Sequence, residues 1–361
     1  MDKPRKFGFA LGAAGLLTVS SLGSATAQDL DEVSMVMQWV PQAQFAGYYA
    51  ADALGYFEEQ GLKVNFIDGG ADVFPQVEAS QPGGPEFATS WVPRVLAVRD
   101  AGQSDLVNIG QVFQRSATLS TSWADNPVAS PEEFAGKNVG VWGGGNELEV
   151  FAAALAAGLV PDEDFTTVIQ SFTMDQLLNR EVDVAEAMTY NEYAQLLETI
   201  NPDTGELYQA EDFVVIDYNE VGTAMLQDAI HARASWLEEE GNEDIATRFL
   251  TAAFKGWAYC RDNPEECVEI TFDAGSTLGL GHQRWMMNEI NPLIWPSPTG
   301  SVPCRSTSGT RPCRSRSTPA SSRRLPAMTP TGQTSPRPLG RRSRRKASNS
   351  PVRASRRAPS R

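Results

Sequence analysis

Hydrogen-bonding amides and aromatic rings alternate in a short stretch near the amino end of the sequence. The segment QWVPQAQFAGYY contributes three glutamines and two rings in particular: Gln38, Gln42, Gln44, Trp39 and Tyr48. Amides donate and accept hydrogen bonds, and aromatic rings offer flat faces for stacking. This combination suits a planar nitrogen heterocycle. In the alternative, the rings belong to a core and the glutamines face solvent.

The same residue types end two further segments that have the composition of β-strands. EFATSW ends in Ser90 and Trp91, and LVNIGQVFQ ends in Gln114. Recurrence at three strand ends favours a binding surface over scattered core and surface residues.

A second group of candidates lies farther along the chain, in the segment VGVWGGGNE. Gly144 and Gly145, with Asn146 ready to cap the next helix, would let backbone N–H groups approach a ligand closely. An ordinary tight turn is the alternative. The segment is not a nucleotide-binding motif, because Leu148 replaces the last glycine of the dinucleotide fingerprint and no P-loop sequence follows.

The segment MTYNEY places Tyr190 and Glu192 directly after another predicted strand. Glu192 is the one charged candidate, and its carboxylate would accept hydrogen bonds from the amino edge of a pyrimidine. Alternatively, Glu192 is an acid in the first turn of a helix, where the helix dipole favours negative charge.

Strands and helices alternate along the sequence and would position these residues. The pattern begins at Leu30 and restarts after Ser130 as a second α/β unit. Strands separated by helices predict parallel sheets, and two lobes joined by crossing strands leave a cleft beyond the strand ends. The predicted fold class is therefore α/β with two lobes, a hinge and an interlobe cleft. The expected first lobe comprises residues 28–118 and 219–300, and the expected second lobe comprises residues 119–218.

The amino end has the features of a secretory signal peptide. Three basic residues precede an apolar run from Phe7 to about Val19, and a small-x-small pattern ends at Ala27. The run is short for a permanent membrane anchor, and no cysteine follows for lipid attachment. We expect residues 1–27 to be removed by cleavage after Ala27 and the mature protein to reside in the periplasm.

The acidic body of the chain and its basic carboxyl-terminal tail differ sharply in charge. Residues 301–361 contain 15 Arg and 1 Lys and no acid, so residues 1–300 contain 30 − 16 = 14 basic and 45 acidic residues. The acidic body would repel nucleic acid, and no nucleic-acid partner is expected for it. The tail lacks Phe, Tyr, Trp and Ile and cannot bury enough apolar surface to order itself. We expect it to be disordered.

Two cysteines are spaced for a local disulfide. Cys260 and Cys267 flank Asn263-Pro264, which predicts a turn between two helices, and an oxidising compartment would let the pair close across it. Free thiols are the alternative. His231 and His282 do not stand at metal-ligand spacing, so neither a metal nor another cofactor is expected.

These segments resemble those of the bacterial substrate-binding proteins for thiamine pyrimidine precursors, a family that includes the eukaryotic hydroxymethylpyrimidine synthases. The resemblance begins with QWVPQAQFAGYYAADALGYFEEQGLKV and continues through VFQRS, GKNVGVWGGGNE, MTYNEY and FKGWAYCRDNPEE. It implies a type II periplasmic binding protein fold that closes on a small heterocyclic ligand and presents it to the permease and ATPase of an ABC importer. We expect a monomer.

Other ligands and functions are possible on the same fold. Riboflavin, nitrate, sulfonate and taurine binders have a similar opening sequence, but anion binding needs cations, and only Arg94, Arg99 and Arg115 lie near the first-lobe candidates. The neutral aromatic set favours a heterocycle. A synthase would carry a cysteine-rich iron motif, which this sequence lacks. A ligand sensor without a transporter stays open.

The composition changes abruptly at Ser301. Relatives in the resembled family continue there with helical sequence that completes the first lobe. We therefore favour a reading-frame shift in the gene over a functional basic arm. In that case Cys304 and Cys313 are accidental, and the tail is readily proteolysed.

Overall fold

The structure is a computed structural model that describes residues 30–297 of the chain. The expected signal peptide, with its cleavage after Ala27, and the expected basic tail, residues 301–361, lie outside the described residues. The first lobe is therefore followed here only as far as residue 297.

Two five-stranded sheets form the centres of two lobes. The first sheet contains β1 (Asp31–Val36), β2 (Leu62–Ile67), β3 (Phe87–Ser90), β4 (Leu106–Gln111) and β10 (Ala229–Arg233). The second contains β5 (Thr118–Trp123), β6 (Asn138–Val141), β7 (Thr166–Ile169), β8 (Val184–Met188) and β9 (Phe213–Asp217). The spatial orders are β2-β1-β3-β10-β4 and β7-β6-β8-β5-β9.

Helices cover the faces of both sheets. Those of the first lobe are α1 (Ala46–Ala53), α2 (Tyr56–Glu59), α3 (Pro75–Glu78), α4 (Val92–Asp100), α9 (Ala234–Leu237), α10 (Asn242–Asp262), α11 (Pro264–Asp273) and α12 (Leu280–Ile294). Those of the second are α5 (Leu148–Ala156), α6 (Asp175–Leu178), α7 (Glu192–Leu197) and α8 (Tyr218–Val221). Short 3-10 helices occupy Ala43–Phe45, Pro131–Phe134 and Ala210–Asp212. Within residues 30–297, no helix is both long enough and apolar enough to cross a membrane.

The prediction of purely parallel sheets was wrong, because each sheet contains one antiparallel strand. β10 runs antiparallel to β3 and β4, and β5 runs antiparallel to β8 and β9. These are the strands that begin after the chain has crossed from one lobe to the other. A strand that starts at the cleft must run away from it, whereas the strands that end at the cleft run toward it.

The two crossing segments, residues 112–117 and 222–228, are held together by one buried side chain. Gln227 accepts a hydrogen bond from the backbone N–H of Ala117 at 2.9 Å and donates to Oγ1 of Thr118 at 2.7 Å. The backbone carbonyl of Gln227 accepts a hydrogen bond from the side-chain amide of Gln111 at 2.7 Å. Both crossings therefore meet at a common point, as a hinge between two lobes requires.

The first-lobe core depends on close packing of α1 against α10. A Cβ atom at Gly256 would lie 1.9 Å from the carbonyl oxygen of Gly47, so the two helices cross at a distance that only glycine permits. Phe249 of α10 stacks on Phe87 of β3 with ring centroids 4.0 Å apart. The glycine of the AGYY segment is thus explained by helix packing.

The helical region after β10 follows the predicted pattern. α10 ends at Asp262 and α11 begins at Pro264, which confirms the predicted turn between two helices. Cys260 and Cys267 lie on either side of this turn and form a disulfide with their Cα atoms 5.4 Å apart.

Candidate ligand-binding cleft

A cavity of about 330 Å³ lies between the two sheets and receives side chains from both lobes. That volume is at the lower end of the range for small-molecule sites. The candidates that line it are Gln38, Trp39, Gln44, Trp91, Gly144, Asn146, Tyr190 and Glu192. Gln42 and Asn191 line it as well. The strand-end rule therefore brings residues from distant parts of the sequence into one cavity.

Two first-lobe candidates lie in the protein interior and do not line the cavity. Tyr48 is on the inner face of α1, where its ring packs edge-on against Trp257 at 5.6 Å. Ser90 is the last residue of β3, and its hydroxyl lies 3.4 Å from the side-chain oxygen of Gln76. Their placement at the cavity surface was wrong. The sequence does not show which face of α1 packs on α10, and it does not show that the Ser90 hydroxyl faces Gln76.

Gln114 is also outside the cavity lining. Its side chain turns back along the crossing segment and donates to the backbone carbonyls of Gln111 and Val112, at 3.0 and 3.3 Å. Its backbone N–H donates to the carbonyl of Leu293 in α12 at 2.8 Å. Gln114 therefore stabilises the hinge.

Aromatic rings from both lobes form one wall of the cavity. Trp39 of the first lobe and Phe172 of the second have ring centroids 4.5 Å apart, and Phe172 lies almost parallel to Trp142 at 6.3 Å. Trp142 directly follows β6 and could have been found by the strand-end rule. Phe172 lies in the segment that follows β7, where the strand-end rule could also have found it, whereas Phe74 directly precedes α3 and follows no strand end closely.

The polar part of the second-lobe wall is formed by Glu192 and its neighbours. The Glu192 carboxylate accepts from the backbone N–H of Met188 at 3.0 Å and from the side-chain amide of Asn191 at 2.6 Å. Burial raises the pKa of Glu192 to about 7, although these hydrogen bonds lower it. Each carboxylate oxygen has a further lone pair and can accept from a ligand.

A buried acid that the sequence reading missed supports the first-lobe amides. Asp228, directly before β10, accepts from the side chains of Gln38 at 3.2 Å and Gln44 at 2.8 Å through one oxygen. Burial raises its pKa to about 7, against the hydrogen bond from Gln44 and the charge of Arg94, which lower it. Asp228 thereby orients both glutamines toward the cavity.

Arg94 brings a buried positive charge to the first-lobe wall. It lies in the first turn of α4, is 7% exposed and lines the cavity. Within residues 30–297, its buried Nε has no hydrogen-bond acceptor. Burial lowers the pKa of Arg94 to about 10, while the carboxylates of Glu147 and Asp228 raise it. Arg99 and Arg115 instead donate to backbone carbonyls away from the cavity.

The glycine turn after β6 allows the two lobes to approach each other. Gly144 has a φ of 78°, and a Cβ there would lie 2.7 Å from the ring of Phe74. Gly145 has a φ of 95°, and a Cβ there would lie 3.0 Å from Cγ of Arg94. Gly145 therefore contacts the other lobe and is not part of the cavity lining.

Asn146 does not cap the next helix, contrary to expectation. Its side-chain amide donates to the carbonyl of Gly143 at 2.8 Å, and α5 begins only at Leu148. The backbone N–H of Gly145 donates to the Glu147 carboxylate at 2.9 Å. The polar groups of the turn therefore hydrogen-bond to one another, and Asn146 still lines the cavity.

Comparison with known proteins identifies the family of this chain. The family model described as NMT1/THI5 like matches residues 42–267. The chain belongs to the NMT1/THI5-like family. A riboflavin-binding protein of Chloroflexus aurantiacus is 27% identical over 272 residues, covering 73% of this chain and 73% of the relative. A formylaminopyrimidine-binding protein of Halalkalibacterium halodurans is 22% identical over 259 residues, covering 71% of this chain and 75% of the relative.

Solved structures share the fold of this NMT1/THI5-like protein. The periplasmic aliphatic sulphonate-binding protein of Escherichia coli superposes with a TM-score of 0.55 at 15% identity, covering 72% of this chain and 79% of that one. The alkanesulfonate-binding protein of Xanthomonas axonopodis gives 0.53 at 12% identity, covering 73% and 85%. The predicted type II periplasmic binding fold is confirmed, and both relatives are named as binding proteins.

We expect Gly144→Ala to keep the two lobes of this NMT1/THI5-like protein apart. A left-handed alanine costs about 1–2 kcal/mol in unfolding free energy, and the added methyl also collides with Phe74. Small-angle X-ray scattering should show a larger radius of gyration than for the wild type.

Gly143→Ala is the matched control for this prediction. A Cβ at Gly143 would meet its nearest neighbour, the side chain of Ile169, at an ordinary 3.8 Å. Adding Phe74→Ala to Gly144→Ala should restore part of the compact form. Equal radii for Gly143→Ala and Gly144→Ala would contradict the proposed contact.

We expect Asp228→Asn to flatten the pH dependence of stability. The pKa of Asp228 is raised to about 7 in the folded protein, so the folded state holds this proton more tightly than the unfolded chain. The wild-type unfolding free energy should therefore fall as the pH rises from about 4 to about 7, by about 4 kcal/mol at most from this residue. Asparagine keeps the acceptor for Gln38 and Gln44 and tolerates the φ of 46°.

Urea denaturation at several pH values measures this effect. Asp203→Asn is the control, because it removes an exposed carboxylate from a turn and leaves the buried ones in place. If the unfolding free energy of Asp228→Asn changed with pH as steeply as that of the wild type, Asp228 would not be protonated on folding.

Proposed function

We propose that this chain is the extracytoplasmic solute-binding protein of an ABC importer and that it captures a thiamine-related pyrimidine precursor in the interlobe cleft. The observation that carries the proposal is the composition of the cavity wall. Aromatic faces from both lobes stand beside a buried carboxylate and several neutral amides. The proposed ligand is delivered to the permease when the lobes separate.

A planar pyrimidine fits the chemistry of this wall. Its ring would stack on Trp39 and on the Phe172–Trp142 pair, since offset or tilted aromatic contacts are favourable. Its exocyclic amino group would donate to the Glu192 carboxylate, whose oxygens retain acceptor capacity. Tyr190 and Gly144 would then contribute shape to the same wall.

Arg94 sets a second condition that the ligand must meet. Closing the cleft removes water from a guanidinium whose Nε has no acceptor within residues 30–297. An unmatched buried charge is costly, so the ligand should supply an oxygen there. A hydroxymethyl or formyl oxygen on the pyrimidine would serve.

Riboflavin is the second candidate ligand. The relative from Chloroflexus aurantiacus that is 27% identical is named a riboflavin-binding protein. The flavin ring system is planar, and its carbonyl oxygens would also suit Arg94. The same aromatic wall supports both candidates, so binding measurements must separate them.

Isothermal titration calorimetry of the mature protein should give a dissociation constant in roughly the micromolar range or tighter for one heterocycle. The panel comprises amino-hydroxymethyl-pyrimidine, its formylated relative, thiamine, riboflavin, nitrate and taurine. We expect a pyrimidine to bind and both nitrate and the sulfonate taurine to fail, because Arg94 is the only basic residue among the described residues that line the cavity. Binding of nitrate or taurine alone would refute the heterocycle.

Permease and ATPase genes beside this gene would support import over ligand sensing. Uptake of the labelled ligand by cells, compared with cells lacking this protein, would test delivery directly. A cell that imports the ligand equally well without the protein would argue for sensing.

Trp39→Ala and Glu192→Gln should each weaken binding of that ligand by about 1–3 kcal/mol, because the first removes a stacking face and the second a charged acceptor. Calorimetry measures the loss. Phe272→Ala on exposed α11 and Glu220→Gln on α8 are matched controls that should bind like the wild type. Unchanged affinity in both cavity variants would mean that the ligand binds elsewhere.

A further inference from the structure

His282 joins the two lobes at the edge of the cavity. It lies in the first turn of α12 in the first lobe and is 6% exposed. Its Nδ1 is 2.8 Å from Oε2 of Glu198, and its Nε2 is 2.9 Å from Oδ1 of Asn191. Asn191 precedes α7 and Glu198 follows it, so one ring of the first lobe contacts both ends of a second-lobe helix.

Both ring nitrogens of His282 face oxygen acceptors. The side-chain nitrogen of Asn191 donates to Glu192, which leaves the amide oxygen of Asn191 directed at the imidazole. The ring therefore lies between two side-chain oxygens of the second lobe, one facing each ring nitrogen.

These contacts form an unbroken row that ends at the cavity. Glu198 holds the ring of His282, His282 holds the amide of Asn191, and Asn191 holds the carboxylate of Glu192. Asn191 and Glu192 both line the cavity, whereas His282 does not. His282 can therefore reach a ligand only through Asn191 and Glu192.

We propose that His282 is a positioning residue for the binding site: its ring on the first lobe holds Asn191 and Glu192 of the second lobe in the ligand-binding arrangement. The inference rests on the proposed function, because it assigns Glu192 to ligand recognition. Separation of the lobes breaks both contacts of the ring, so the arrangement of Glu192 depends on closure.

A second interlobe contact on the same helix provides the control. Nε1 of Trp285 donates to the backbone carbonyl of Thr189 at 3.1 Å. This hydrogen bond also links α12 to the second lobe but does not involve the side chain of Asn191. Trp285→Phe therefore removes a lobe-to-lobe bond and leaves the row through His282 intact.

A double-mutant cycle tests whether His282 acts through Asn191. The dissociation constant of the heterocycle that the wild type binds is measured for His282→Ala, Asn191→Ala and the double variant. His282→Ala should weaken binding about tenfold, as expected for the loss of one buried hydrogen bond. In the Asn191→Ala background the same change should have almost no further effect, because the row is already broken.

Trp285→Phe should behave differently in the same cycle. Its effect on the dissociation constant should be the same with and without Asn191→Ala. If the double variant's dissociation constant changed by the product of the two single-variant changes, the two residues would act independently. That result would overturn the proposal. Glu198→Gln, on a half-exposed residue, keeps an acceptor and should fold even if His282→Ala does not. It should weaken binding less than His282→Ala does, and an unchanged dissociation constant would count against the row.

Long-range proton–nitrogen NMR spectra test the contacts of the His282 ring without any ligand. The sequence contains only two histidines, so His282→Gln assigns both rings. Burial lowers the pKa of His231 to about 4, and its ring should be neutral. The nitrogen chemical shifts of the His282 ring should change in Asn191→Ala and in Glu198→Gln, and shifts that are the same in all three proteins would overturn the proposal. If no heterocycle binds the wild type, the proposed function fails while these spectra still report the contacts of His282.

Discussion

The double crossing of the chain between its two sheets determines how the rest of the molecule is arranged. Strands that approach the crossings end at the cleft, and β5 and β10, which follow the crossings, start there. Gln227 binds both crossing segments at one point and keeps them together. The cavity therefore receives residues that follow strands, such as Trp91 and Tyr190, and rests on Asp228, which precedes one.

Buried charge is distributed over both walls of the cavity. Arg94 belongs to the first lobe and Glu192 to the second, and both lie in surroundings that make an unmatched charge costly. The glycine turn brings Gly144 against Phe74, a close approach of the walls that a Cβ at this position would prevent. His282 adds a direct link between them. In the proposed function, recognition of the ligand and closure of the lobes would be coupled, because the ligand would contact Arg94 on one wall and Glu192 on the other.

The residues that were placed correctly and incorrectly show what a sequence pattern can locate. Trp39 and Glu192 line the cavity because they follow strands, and the alternation of strand and helix is a local property that the sequence displays. Tyr48 is equally aromatic and close in sequence, but it faces α10, which begins nearly 200 residues later. Asn146 has the right type for a helix cap, yet its amide meets the nearer carbonyl of Gly143. Side-chain direction depended on neighbours that composition does not specify.

The sequence by itself determined the alternation of strands and helices, the division into an acidic body and a basic tail, and the residue types at most strand ends. Those features depend on residues close together in the chain. Only the tertiary structure decided that Asp228 supports the glutamines, that Phe74 and Phe172 complete the aromatic wall, and that His282 reaches Asn191. His282 and Asn191 are 91 positions apart. Distances of that kind are set by how the sheets pack and where the chain crosses, and no local pattern encodes them.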